Sequence, residues 1–179
     1  MNTFFLINMI LVFLTIIVEF LMFYLQRKGR YMDKWFGDQA FFVHSLITLL
    51  LWTATWISII AFQFAEHPSF HNSLSLQIFG WTLAIIGVSI ATLGYKELGL
   101  RRSLGVNFYE EGTELEESGL YKWIKNPEEN GYWIMLIGLA LATDSLYNLV
   151  LAIEFIVLMI PHQKLENMPV QKERKKLED

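Results

Sequence analysis

The sequence predicts an all-α, polytopic transmembrane helical bundle of five helices: three spans followed by a C-terminal helical hairpin. Three observations carry this expectation. First, 54% of the 179 residues are hydrophobic and only 18% are charged, against about 25% charged in ordinary soluble domains, so much of the surface has to face lipid. Second, several apolar runs reach the roughly 20 residues that cross a hydrocarbon core of about 30 Å. Inside lipid the backbone must satisfy its own hydrogen bonds, which selects helices. Third, all 14 Lys and Arg fall in three clusters that the apolar runs separate.

Residues 1–94 hold the three spans. The first run, Thr3 to Leu25, lacks the basic leader and short apolar core of a secretory signal, so it reads as a retained span. A basic and aromatic connector, Gln26 to Asp38, precedes the second run, Ala40 to Phe64. A short loop of Pro, His, Asn and Ser leads to the third, Leu74 to Gly94. Residues 95–131 form the longest polar interval and are expected to be a cytoplasmic loop. The last apolar region, residues 132–160, carries Thr143-Asp144-Ser145 at its centre. As one straight helix it would extend about 43 Å at about 1.5 Å per residue and bury Asp144 in mid-membrane. A hairpin turning at Asp144 avoids both, and Ser, Asp and Thr are good N-caps for its second arm. Residues 161–179 are then a cytoplasmic tail, ending in a solvated stretch from Lys172 to Asp179.

The basic clusters test this topology. Arg27, Lys28, Arg30 and Lys34 follow the first run; Lys96, Arg101, Arg102, Lys122 and Lys125 follow the third; Lys164, Lys172, Arg174, Lys175 and Lys176 follow the last. All lie on one side only if the final region is a hairpin. The positive-inside rule then puts the N-terminus outside and the C-terminus in the cytoplasm.

Composition also narrows the function. With no Cys, disulfides, thiolate catalysis and Cys-ligated metals are excluded, and a net charge of −4 gives no basis for nucleic-acid binding. His67 and His71 are four residues apart, but Pro68 lies between them and no third ligand is near in sequence, so no metal is expected there. His44, on the second span, reads either as a packed, hydrogen-bonded histidine or as a group in a substrate tunnel. Two acids interrupt apolar runs, where an ionised carboxylate costs about 2.5–3.5 kcal/mol on insertion scales. Glu19 is expected to snorkel toward Arg27 or Lys28 in an interfacial structural role. Glu154 is a candidate for a cavity-facing role beside a purely structural one. In the polar interval, Gly105, Gly112, Gly119 and Pro127 punctuate short elements, and Tyr121, Trp123 and Tyr132 suit headgroup level.

Within that interval Leu98-Gly99, Ser103, Glu114-Leu115, Ser118-Gly119-Leu120-Tyr121 and Lys125-Asn126-Pro127 follow one another, with Gly131 four residues beyond the Pro and the hairpin immediately after. This ordered set resembles the core of the isoprenylcysteine carboxyl methyltransferases and the related phospholipid N-methyltransferases, over about Tyr95 to Pro161. The resemblance implies an integral membrane methyltransferase that binds S-adenosylmethionine at the cytoplasmic surface and accepts a lipophilic small molecule or prenylated substrate from the lipid bilayer. It assigns Gly119, Tyr121, Lys125, Asn126, Pro127 and Glu166 to the cofactor, and leaves Lys125, Asn126, Glu154 and Glu166 as candidates for catalysis. Lys125-Asn126 stands where the family has Arg-His, Glu129 where it has Tyr, Arg102 where it has Trp, and Glu166, or else His162 or Gln163, where it has an acidic pair. These departures leave open a catalytically degenerate lipid- or partner-binding protein of the same fold. A third reading is an NADPH-dependent membrane reductase of the steroid-reductase type. Substrate identity and oligomeric state are not legible.

Overall fold

The structure is a computed structural model that describes residues 3–62, 67–71, 73–110 and 118–166. Its described residues are helical and irregular, without strands. Four helical stretches are long and apolar enough to cross a membrane. The first is α1 (Thr3–Gly29); the second joins the short α2 (Tyr31–Phe36) to α3 (Ala40–Phe62) through a 3-10 turn at Gly37–Gln39. The others are α4 (Leu74–Leu98) and, after the short α5 (Leu100–Ser103) and α6 (Pro127–Ala142), α7 (Leu146–Glu166). The chain is thus an integral membrane helical bundle.

α6 and α7 are the two arms of the expected hairpin. The first arm ends at Ala142, Asp144 takes a left-handed φ of 53°, and the Ser145 hydroxyl accepts the Asn148 N–H at 3.2 Å, capping α7. The arms overrun the limits that hydropathy sets. α6 starts at Pro127, because proline's fixed φ and missing N–H suit the first turn of a helix. α7 runs through Pro161 to Glu166 instead of yielding a tail at residue 161. Proline removes one backbone hydrogen bond there, but His162 and Leu165 beyond it are 3% and 6% exposed, and that burial holds the last turn in the bundle. Residues 111–117 and 167–179, with Glu114-Leu115 and the Lys172 to Asp179 stretch, lie outside the described residues.

The long helices form an arc. α3 packs on α1, α1 on α7, α7 on α6, and α6 on α4, so α3 and α4 stand at its two ends. Without water to drive apolar contact in lipid, such helices are joined by close packing and interhelical hydrogen bonds. Both occur. Thr15 and Thr55 share a buried 2.7 Å hydrogen bond between α1 and α3. The α4–α6 seam is built on small residues: Gly80, Ala84, Gly87, Ala91 and Gly94 meet the α6 backbone around Gly138, Met135, Gly131 and Glu128. A Cβ on Gly87 would lie 2.6 Å from the Gly131 carbonyl oxygen, so the two backbones leave no room for a side chain.

The apolar core lies toward the end where α3 stops and α4 begins, where Phe5, Phe62, Leu136, Leu151 and Phe155 cluster and Phe5 stacks on Tyr147 at 4.1 Å between ring centroids. At the opposite end, which carries the Lys and Arg of the described residues, the 3-10 turn Val106–Phe108 plugs the gap between α1 and α3. Phe108 stacks on Phe23 at 4.2 Å, Tyr109 Oη lies 2.6 Å from His44 Nδ1, and Gln26 Nε2 donates to Asp33 at 2.8 Å. His44, fully buried, is a packing histidine.

Candidate functional site

The arc encloses a cavity of about 890 Å³, within the roughly 300–1,000 Å³ range of small-molecule sites. Its character changes along its length. Toward the basic end the wall is polar: Arg102, Ser103, Asn107, Tyr121, Lys125 and Asn126. Along α3 it is apolar, with Leu49, Trp52, Trp56, Ile57 and Ile60. Leu49, Ile57 and Ile60 are also exposed on the outside of the bundle, so the apolar half opens sideways, toward lipid. A smaller apolar recess of about 390 Å³ shares Trp56, Tyr95 and Tyr132 with it and continues along α4 past Val88.

Where the two halves meet, three helices bring ionisable groups together and a fourth, α3, adds a donor. His162 on α7 is almost fully buried. Its Nδ1 lies 3.2 Å from Glu129 Oε1 on α6 and 4.0 Å from Glu166 Oε2 one turn on, while its Nε2 lies 3.6 Å from Glu19 Oε2 on α1. Neither ring nitrogen makes an aligned hydrogen bond. Glu19 is held in turn by the Trp52 indole N–H, which donates to it at 2.9 Å from α3. Beside this cluster the Ser103 hydroxyl donates to Glu128 Oε2 at 3.0 Å.

The rim of the polar half is set by backbone geometry. Glu97, at the end of α4, accepts the Leu120 N–H at 2.7 Å. Gly119, at φ 54°, lies so close to that carboxylate that a Cβ would strike it. Asn126 also has a left-handed φ, 49°, which Asn tolerates better than most residues, and its side-chain amide reaches Glu129 only loosely, at 3.4 Å. Burial, then the carboxylates of Glu128, Glu166, Glu129 and Glu97, push the Tyr121 phenol well above its ordinary range, so it faces the cavity as a neutral hydroxyl.

A family model described as phospholipid methyltransferase matches residues 76–173, more than half of the chain. The chain belongs to the phospholipid methyltransferase family. No curated protein and no solved structure matches it. In this phospholipid methyltransferase family member the matched segment spans α4 to α7, the side of the arc that supplies most of the polar wall.

Of the residues that sequence assigns to the site, Tyr121, Lys125, Asn126 and Glu166 line the cavity. Gly119 and Pro127 stand behind it, one fixing the rim, the other starting α6 against Gly94. Glu154 lines neither this cavity nor the smaller recess; it is half-buried higher on α7, with one carboxylate oxygen enclosed and without a hydrogen bond. Glu19 corrects its expectation. It is 5% exposed and turned inward to Trp52 and His162, because a half-buried donor on α3 and a buried ring on α7 face it from inside the bundle. Arg27 instead donates to the Leu165 carbonyl at 2.9 Å. Tyr132 stands in the cavity wall, whereas Trp123 is 80% exposed, as an interfacial ring should be. Trp52 carries no sequence signal, since an apolar run gives a tryptophan no address. His162 carries one: with Glu166 it makes an i, i+4 pair on a single helix face.

Proposed function

We propose that this family member is an S-adenosylmethionine-dependent methyltransferase acting on a lipophilic acceptor drawn from the bilayer. The observation that carries the reading is a single cavity whose polar half is walled by Tyr121, Lys125 and Asn126 and whose apolar half opens toward lipid beside Ile57 and Ile60. A polar, zwitterionic cofactor and an apolar acceptor can then approach from opposite ends and meet at the buried ionisable cluster.

The wall fits the cofactor's chemistry. Lys125 offers a cation to a carboxylate, Tyr121 a neutral hydroxyl, and Glu129 and Glu166 acceptors for hydroxyl or ammonium donors. When bound, S-adenosylmethionine supplies an already activated methyl group, so alignment rather than activation is the main task left to the protein. The chain's own contribution is to align and to dry: Trp52, Trp56 and Phe155 wall the junction with apolar rings, and the Trp52–Glu19–His162 chain keeps its polar groups in fixed places. All ten Lys and Arg among the described residues lie beyond the ends of the apolar runs that face the polar half, which supports a cytoplasmic mouth, an N-terminus outside and a C-terminus inside.

The test is calorimetric titration of S-adenosylhomocysteine into the purified protein in detergent, followed by transfer of labelled methyl groups to a lipid extract. One-to-one binding that Tyr121→Ala weakens about tenfold, the loss of one good hydrogen bond, is the expected result. No binding at millimolar cofactor overturns the reading. Binding without transfer to any lipid fraction favours the catalytically degenerate alternative, and binding of NADPH instead favours a reductase.

A further inference from the structure

We propose that Glu129, His162 and Glu166 form a divalent-metal site of the zinc class at the junction of the two cavity halves. Their ligand atoms lie within 4.8 Å of one another, and all three residues line the cavity.

Geometry is the first support. Zinc holds nitrogen and carboxylate ligands at about 2.0–2.2 Å, which puts neighbouring ligands of a tetrahedral site about 3.3 Å apart. The 3.2 Å from His162 Nδ1 to Glu129 already matches, and the 4.0 Å to Glu166 closes by rotation of one carboxylate. His162 is the second, independent support. It is 3% exposed, and neither ring nitrogen makes an aligned hydrogen bond, although a buried polar group left without one costs about 1–3 kcal/mol. A metal on Nδ1 satisfies one nitrogen. The other then carries the proton and faces Glu19 Oε2 at 3.6 Å, with Glu19 itself pinned by Trp52. A carboxylate behind a metal-binding histidine is the usual means of fixing its tautomer and ring plane.

Charge supplies the third support. Glu19, Glu129 and Glu166 converge on one imidazole, and among the described residues each has ion-pair distance only to His162. A protonated ring offsets one of three negative charges, whereas a divalent ion with a neutral ring offsets two and leaves Glu19 to the hydrogen bonds. Because Glu129, His162 and Glu166 line the cavity, a position left open on the metal would be reachable from it and would take an oxygen of the acceptor. That use rests on the methyl-transfer reading; metal binding itself does not.

Untagged full-length protein, stripped with chelator in detergent, is titrated calorimetrically with zinc chloride, and cobalt(II) is added separately for its visible d–d absorption. One zinc per chain is expected. Binding should weaken about a hundredfold or more in His162→Ala, Glu129→Gln and Glu166→Gln, since even removing a partner that only orients a ligand costs about 10–100-fold. The His67→Ala/His71→Ala double variant should bind as the parent does. Helical circular dichroism checks each fold, and the isosteric Glu→Gln variants carry the test if His162→Ala does not assemble. The site is overturned if the stripped protein takes up no stoichiometric zinc. It is equally overturned if uptake survives all three ligand variants or disappears in the outer-loop double variant. S-adenosylhomocysteine is titrated into the same sample: cofactor binding without zinc refutes the metal site alone, and zinc binding without cofactor supports the site while refuting the methyl-transfer reading.

Discussion

Replacing Gly87 by alanine tests the packing that places α6. Helix propensity alone predicts a gain, because alanine is better than glycine inside a helix by about 1 kcal/mol. The structure predicts the opposite sign. The new methyl would lie 2.6 Å from the Gly131 carbonyl oxygen and 2.8 Å from Met135 Cα, where ordinary contact begins at 3.4 Å. These neighbours are backbone and cannot rotate away, so α4 and α6 must separate by about 1 Å, a gap that forfeits a quarter to a half of each dispersion contact it opens. Overpacking of this kind costs about 1–3 kcal/mol, and an unyielding backbone argues for the upper end. Reversible unfolding in mixed detergent micelles reads the change directly. Gly131→Ala, which presses on the same contact from the other helix, should cost a similar amount, and the double variant less than the sum, because one separation relieves both. A Gly87→Ala protein as stable as the parent, or more stable, would refute the close seam.

Two further results are expected. Trp52→Phe keeps the aromatic packing but removes the N–H that Glu19 accepts; leaving that buried carboxylate short of a donor should lower unfolding stability by about 1–3 kcal/mol, and an unchanged protein would show that Glu19 finds water. Burial, then the surrounding carboxylates, raise the folded-state range of Tyr121; burial, then Asp33, raise that of Tyr109. The unfolded phenols ionise near about 10, so stability linked to these groups is complete below that pH and is lost as the pH climbs above it. Tyr121→Phe should flatten this alkaline loss, as followed by unfolding at a series of pH values, and an unaltered slope would refute the assignment.

Much of the topology was legible in the chain. Run lengths and the placement of every Lys and Arg give the spans, and the polar Thr143-Asp144-Ser145 inside an over-long apolar region gives the hairpin, because each is a local signature of hydrocarbon thickness or cost. The helix ends were less legible. Pro161 reads as a stop until the burial of His162 and Leu165 is known, and burial is a property of neighbours. The seam could have been read: Gly80, Gly87 and Gly94 repeat at seven residues on one helix face, and Gly131 and Gly138 repeat at seven on another. For the site, the ordered motifs identified the rim residues Tyr121, Lys125 and Asn126, since these are contiguous or nearly so. Glu19 stood out as an acid in an apolar run, but its inward role did not, and Trp52 carried no signal at all, because their pairing joins two separate helices.

Among the described residues α3 and α4 stand at the two ends of the arc, and under the proposed methyl-transfer reading this bears on what size means for an acceptor. A closed barrel is a gauge: it admits a molecule up to a certain length and no further. A trough open along one long side gauges only the part of a guest that lies on its floor, while the remainder would hang over the edge into surroundings as oily as itself. With Ile57 and Ile60 on that edge, lengthening such a guest's hydrocarbon chain would add nothing that must be fitted, and discrimination would fall to whichever few atoms reach the four carboxylates and the imidazole.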